Sequence, residues 1–102
     1  MEPLRRVSVF LPAFNEVKNL EGAVADIVWA AEGVLAEYEI LVVNDGSTDG
    51  TRDLADRLAH ENPRVRALHQ PRNMGIAAAY ERALDEAKLD HFSFLAGDGE
   101  IA

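Results

Sequence analysis

The sequence contains no cysteine, which removes any disulfide framework and any thiolate metal site and suits the cytosol. It also lacks a long apolar run. The first such stretch, VSVFLP, is ended by Pro12 and Asn15, too soon for a signal peptide and far short of the ~20 apolar residues of a membrane span. Positive charge is scarce: 10 Lys and Arg stand against 18 Asp and Glu, for a formal net charge of -8. The basic residues are scattered, as Arg5-Arg6, Arg64, Arg66, Arg72 and single positions, so no patch favours a nucleic-acid backbone and no nucleic-acid partner is expected. Two phosphate-binding signatures are missing as well. No G-x-G-x-x-G follows the first strand candidate and no Walker motif occurs, which argues against a dehydrogenase-type dinucleotide fold and a P-loop NTPase.

What is present fits one soluble domain, residues 1–102, with a modest single core. Val7 to Pro12 reads as a strand from its β-branched and aromatic residues. Val17 to about Glu37 keeps helical spacing along Leu20, Val24, Ile27, Val28, Ala31, Val34 and Leu35. Glu39 to Asn44 is a second strand. Asp49 or Thr51 then caps a helix that reaches Asn62, where Pro63 ends it. Val65 to His69 is a third strand, Gly75 to Lys88 a third helix buried along Ile76, Ala79, Tyr80, Ala83 and Leu84, and His91 to Ala96 a fourth strand. Strands alternating with helices predict right-handed crossovers and a parallel sheet of about four strands with helices on both faces, a Rossmann-like α/β architecture.

Ligands of such sheets gather at the carboxyl ends of the strands. Here the first strand delivers Pro12-Ala13-Phe14-Asn15-Glu16, the second Asn44-Asp45-Gly46-Ser47 and the fourth Gly97-Asp98-Gly99-Glu100, while Gln70 to Gly75 follow the third. Taken singly, Asp45-Gly46 and Asp98-Gly99 are ordinary turn dipeptides, Asn15-Glu16 is a helix start, and Asn73 is a helix cap. Turns alone do not require acids at three strand ends. Glu16, Asp45 and Asp98 on one edge call for a cation or a donor-rich ligand among them. His60, His69 and His91 have no metal-ligand spacing and read as filler, and Trp29 reads as helix packing.

These motifs resemble the GT-A fold and, within it, the family-two inverting nucleotide-sugar glycosyltransferases, with the branch similar to dolichol-phosphate-mannose synthase nearest. The family's P-x-[FY]-N-E turn is matched by Pro12 to Glu16, its D-G-S-x-D by Asp45 to Asp49, and its N-x-G-x-x-x-A helix start by Asn73 to Ala79. The resemblance covers nearly the whole chain but only the N-terminal, donor-binding half of the family's catalytic domain. It implies a nucleoside pocket lined by Pro12, Ala13, Phe14 and Glu16, with Asp45 accepting from the N–H edge of uracil or guanine, since an ionised carboxylate only accepts. Asp98, with Glu100, would hold Mg²⁺ or Mn²⁺ against the diphosphate of a UDP- or GDP-sugar. The acceptor would be a polyprenyl phosphate or a glycan, and the catalytic base would lie beyond Ala102, leaving this chain inactive alone.

Two positions depart from the pattern. The D-x-D motif falls on Ala96-Gly97-Asp98, so its first aspartate is absent, and Ile76 stands where a basic residue often follows the N-x-G, leaving Arg72 as the substitute. A non-catalytic nucleotide-binding or interaction domain is the alternative that Ala96 favours. A receiver-like Mg²⁺-binding domain is a further alternative, but it needs a lysine on a late strand, and Lys18 and Lys88 both fall on predicted helices. The expected location is cytoplasmic, at the cytoplasmic face of a membrane in a longer protein. A strand left at the sheet edge by the missing half, around His91 to Leu95, predicts self-association as a homodimer.

Overall fold

The two middle strands are buried at almost every position, and the period-two alternation of a strand sends their apolar residues to both faces. The computed structural model describes residues 5–94. Along β1 (Arg6–Ala13), α1 (Leu20–Ala31), β2 (Glu37–Asn44), α2 (Thr51–Glu61), β3 (Val65–His69), α3 (Ile76–Glu86) and β4 (His91–Phe94), strands and helices alternate as the periodicity predicts. Val7, Val9, Leu11, Tyr38, Ile40 and Val42 pack under Leu20, Val24 and Ile27 of α1 and Ala55 and Leu58 of α2. Phe10, Leu41, Val43 and Leu68 face the other way, against Ala79 and Ala83 of α3.

All pairings are parallel and the strand order is β3-β2-β1-β4. The chain steps from β1 to β2 to β3 in one direction, then returns past β1 to lay down β4. Right-handed crossovers therefore put α1 and α2 on one face and α3 on the other. This is the order of a mononucleotide-binding half of a Rossmann fold, with its switch point between β1 and β4, rather than the 2-1-3 order of receiver-like sheets. Neither lysine lies in a strand, and neither lies in a helix: Lys18 is in the turn before α1 and Lys88 follows α3.

Several boundaries differ from the sequence expectation. α1 stops at Ala31 instead of continuing to Glu37, because Gly33 takes φ 77° and the amides of Val34 and Leu35 both turn back to the Ala31 carbonyl. β2 accordingly starts earlier, at Glu37. The Tyr38 hydroxyl donates to Glu32 Oε1 at 2.8 Å, and burial together with that carboxylate pushes the phenol up to about 12. Trp29 is 85% exposed, so it does not pack in the core. On α3, Ala79 and Ala83 make the sheet contact while Ile76, Tyr80 and Leu84 each stay more than a third exposed; small residues let the helix sit close, and the larger ones lie to the side. Tyr80 still meets Phe10 and Phe92 edge-on, at ring separations of 5.7 and 5.4 Å. Ala96, Asp98 and Glu100 lie outside the described residues.

At the amino ends of the strands a buried carboxylate ties α3 and β4 to the sheet. Glu39 accepts from the Ser8 hydroxyl at 2.6 Å, the Lys88 amide at 2.7 Å and Arg66 Nη1 at 3.1 Å. Arg66 also reaches the carboxylate of Glu86, and Ser8 Oγ accepts from the Leu89 amide. Burial alone would raise the Glu39 pKa, but the donors outweigh it and hold the carboxyl below its ordinary value. Its stabilising contribution is therefore present above the unfolded carboxylate pKa and is lost as pH falls through the lower folded value. Glu39→Ala should cost about 3 kcal/mol at neutral pH, as expected for breaking a buried pair. In urea unfolding, the gap between parent and variant should narrow as the pH is lowered below about 4.

Candidate functional site

The strand register brings Ala13 level with Asn44, and Asn44 level with His69, so three loops emerge side by side at the carboxyl edge. The first two are stitched together. Asn15 adopts φ 52°, a conformation asparagine tolerates better than most residues. Its amide donates to Ser47 Oγ at 2.9 Å, and its side-chain oxygen accepts from the Thr48 amide at 2.9 Å. The Glu16 amide donates to Thr51 Oγ1 at 2.9 Å and the Val17 amide to Asp49 Oδ2 at 3.3 Å. Asp49 Oδ1 in turn accepts from the amide and hydroxyl of Thr51. Those Thr51 bonds, led by the hydroxyl and joined by the Val17 amide, hold the Asp49 carboxyl below its usual range against a smaller opposing desolvation. The Ser-Thr-Asp part of the second loop thus acts as scaffolding for the first.

Asp45 reaches the third loop. Its side chain is almost fully buried, and its two carboxylate oxygens accept from the amides of Met74 and Gly75, each at 2.9 Å. These amides lie at the start of α3, where no side chain of the helix itself supplies a cap and where a negative charge is favoured. Asn73, expected as the cap, makes no such bond; Asp45 does the capping from another strand. Gly46 has φ 74°, and a Cβ there would lie 2.3 Å from both the Arg72 carbonyl carbon and the Asn73 nitrogen. The third loop can approach this closely only because residue 46 is glycine.

Of the residues proposed for the nucleoside pocket, Pro12 is half-buried, Ala13 buried and Phe14 45% exposed. Glu16 is half-buried, its Oε2 accepting from Asn19 Nδ2 at 3.1 Å. With Asp45 they occupy the adjoining carboxyl ends of β1 and β2. Arg72 is exposed on the third loop and Ile76 opens α3. Among the described residues no three acids or histidines are grouped to hold a metal ion. The two described clefts lie away from this edge, one between α1 and α2 beside Trp29, the other by Arg64 and Arg66 at the opposite end of the strands.

Sequence reasoning missed the connecting roles of Asn44, Asp49, Thr51 and His69. The signal available was a run of short polar side chains after an apolar strand, which favours side-chain to backbone bonds. The grip on the third loop makes a specific demand on residue 46. Gly46→Ala should lower the unfolding free energy by about 2 kcal/mol, from the left-handed backbone and the forced displacement of residues 72 and 73. Denaturant titration reads the first effect, and faster amide exchange at Met74 and Gly75 reads the second.

A family model described as glycosyl transferase family 2 matches residues 8–102. The glycosyltransferase AglD of Haloferax volcanii is 41% identical over 86 residues, covering 82% of this chain and 14% of that protein. The polyprenol monophosphomannose synthase of Mycolicibacterium smegmatis is also 41% identical over 86 residues, with 83% of this chain and 31% of that protein covered. The mannosyltransferase PcManGT of Pyrobaculum calidifontis, solved with GDP-Man and Mn²⁺, superposes with a TM-score of 0.73 at 28% identity, over 84% of this chain and 25% of that one. S. aureus TarS 1-349 shares the fold, with a TM-score of 0.74 at 23% identity over 88% and 26% of the two chains. The chain therefore spans less than a third of the length of these relatives. Its parallel sheet, its stitched strand-end loops and the match over nearly all its residues agree: the chain belongs to glycosyl transferase family 2.

Proposed function

We propose that this chain forms the donor-binding part of an inverting glycosyltransferase that uses a nucleoside-diphosphate sugar of the UDP or GDP type. The observation that carries the reading is the position of Asp45. It closes β2 beside the loop from Pro12 to Glu16, and after accepting from Met74 and Gly75 each of its oxygens still has a lone pair for the N–H edge of a base. Pro12, Ala13 and Phe14 would supply the apolar wall and Glu16 a further acceptor. The GDP-Man bound in the Pyrobaculum neighbour supports a nucleotide sugar, and the Mycolicibacterium and similar relatives support a polyprenyl-phosphate acceptor, with a glycan as the other class.

In this reading the donor is held at the carboxyl edge and the acceptor oxygen attacks the anomeric carbon from the side opposite the leaving diphosphate, which inverts that centre. Asp98 and Glu100 are hard oxygen donors suited to Mg²⁺ or Mn²⁺, and Ala96 leaves one acid fewer than a full D-x-D. A bound divalent ion would neutralise charge developing on the departing diphosphate. Arg72, exposed on the loop that Asp45 holds, would add a positive charge there. We place the reaction at the cytoplasmic face of a membrane, as a polyprenyl-phosphate acceptor requires a membrane surface.

Calorimetry with UDP, GDP and base analogues carrying a methyl in place of the ring N–H tests the role of Asp45. In the parent, methylation should cost about 1.5–3 kcal/mol, the range for a hydrogen bond to a charged group. In Asp45→Ala the methylation penalty should vanish, whatever the loosened third loop does to both ligands alike. An equal penalty in parent and variant would put the base elsewhere. Repeating the parent titration with Mn²⁺ and with excess chelator should give tighter binding with the metal; equal affinities would remove the ion from the proposal.

The position of β4 at the edge of the described sheet, with the exposed Ile76, Tyr80 and Leu84, supports a symmetric homodimer in solution. Light scattering at micromolar concentration should report twice the chain mass, and a monomer would overturn that assignment.

A further inference from the structure

We propose that His69 is a positioning residue for the strand-end loop that carries Asp45, acting through Asn44. The donor and acceptor assignments along this path leave no freedom. The Ser47 amide can only donate, and the atom it meets, at 3.1 Å, is the side-chain oxygen of Asn44. Asn44 is nearly fully buried, so its amide nitrogen is committed to the other side, where His69 Nδ1 lies at 3.0 Å. The amide nitrogen only donates, so Nδ1 must accept. The proton of a neutral imidazole then sits on Nε2, which donates to Asp56 Oδ1 at 2.7 Å. One directed chain of hydrogen bonds thus runs from the Ser47 amide through Asn44 and His69 to the surface of α2. Ser47 Oγ extends it by accepting the Asn15 amide of the first loop.

Such a chain works with only one protonation state of His69. An imidazolium carries N–H on both nitrogens and sets an N–H against the Asn44 amino group. Turning the Asn44 amide relieves that contact, but it withdraws the oxygen from the Ser47 amide and replaces it with a second donor. Protonation therefore unhooks the loop at Ser47. The charged groups facing His69 are the Asp56 carboxylate on α2 and Arg82 of α3, which donates to the His69 carbonyl at 3.2 Å. The neutral Asn44 on β2 decides which imidazole form fits the loop.

The binding arm of the test rests on the nucleotide reading above, and a second readout does not. His69→Asn keeps an acceptor oxygen near the place of Nδ1 but cannot titrate, and His69→Leu has no acceptor. Nucleoside diphosphate affinity and Ser47 amide protection, corrected for intrinsic exchange, are measured on the whole chain at about pH 8 and about pH 5, the span in which histidine changes charge. The parent should lose about fivefold in affinity and in Ser47 protection on acidification, the scale of one neutral hydrogen bond. His69→Asn should match the parent at the higher pH and stay flat, and His69→Leu should be weakened at both. If His69→Leu retains full Ser47 protection, or if His69→Asn repeats the parent's pH dependence, the inference is overturned. Should the parent bind neither UDP nor GDP, the nucleotide reading fails by itself. The Ser47 exchange series then decides the relay, with equal protection in all three proteins counting against it.

Discussion

One buried carboxylate joins the parts of this molecule that chain order alone would leave independent. Asp45 follows directly on β2, yet each of its oxygens accepts from an amide just ahead of α3, about thirty residues further along. An α-helix begins with donors it cannot satisfy internally. Supplying the acceptor from the neighbouring strand fixes where α3 starts and hence where β4 can be laid beside β1. Gly46 makes the same contact sterically possible, since any side chain there would overlap the backbone at Arg72 and Asn73. The site edge and the second half of the sheet consequently share one anchor.

The same carboxylate bears on how the family's motifs should be understood. The acid-glycine-serine-x-acid run looks like a set of ligand-binding groups, but most of its members hold protein. Ser47, Asp49 and Thr51 receive amides from the first loop, and Asn44 receives Ser47. A pocket for a small polar ligand needs walls that do not shift when the ligand arrives, and such bonds supply them. In this chain the run therefore serves largely to build the loops, with few of its members left over for a ligand.

Strand identities and the alternation of elements were legible because both depend on local periodicity. Val7 to Pro12 and Glu39 to Asn44 could bury only as strands with two covered faces, and Val65–His69 appears with the boundaries expected. The extent of α1 was not legible: Val34 and Leu35 continue the helical spacing, and the left-handed turn at Gly33 that ends the helix competes with it. On α3 the apolar spacing named the right stripe but not which members touch the sheet, because the close approach selects Ala79 and Ala83 over Ile76 and Leu84. The polar side was readable as a location, the carboxyl ends of β1 and β2, and less so as roles. Asp45 as a helix cap and His69 as a partner of Asn44 depend on strand order and register, which no local pattern contains.

The stitching between the first two loops is chemically one-sided. At residues 15, 16 and 17 the first loop contributes mainly backbone amides, which every residue except proline possesses, whereas the second loop contributes the side-chain oxygens of Ser47, Asp49 and Thr51. The conformation of the first loop is therefore encoded in its neighbour's sequence more than in its own. Phe14, Glu16 and Val17 can change identity without surrendering the backbone path that presents them, as long as the second loop keeps its acceptors. This separates the residues free to change from those obliged to stay: one loop can vary its side chains while the other preserves its path.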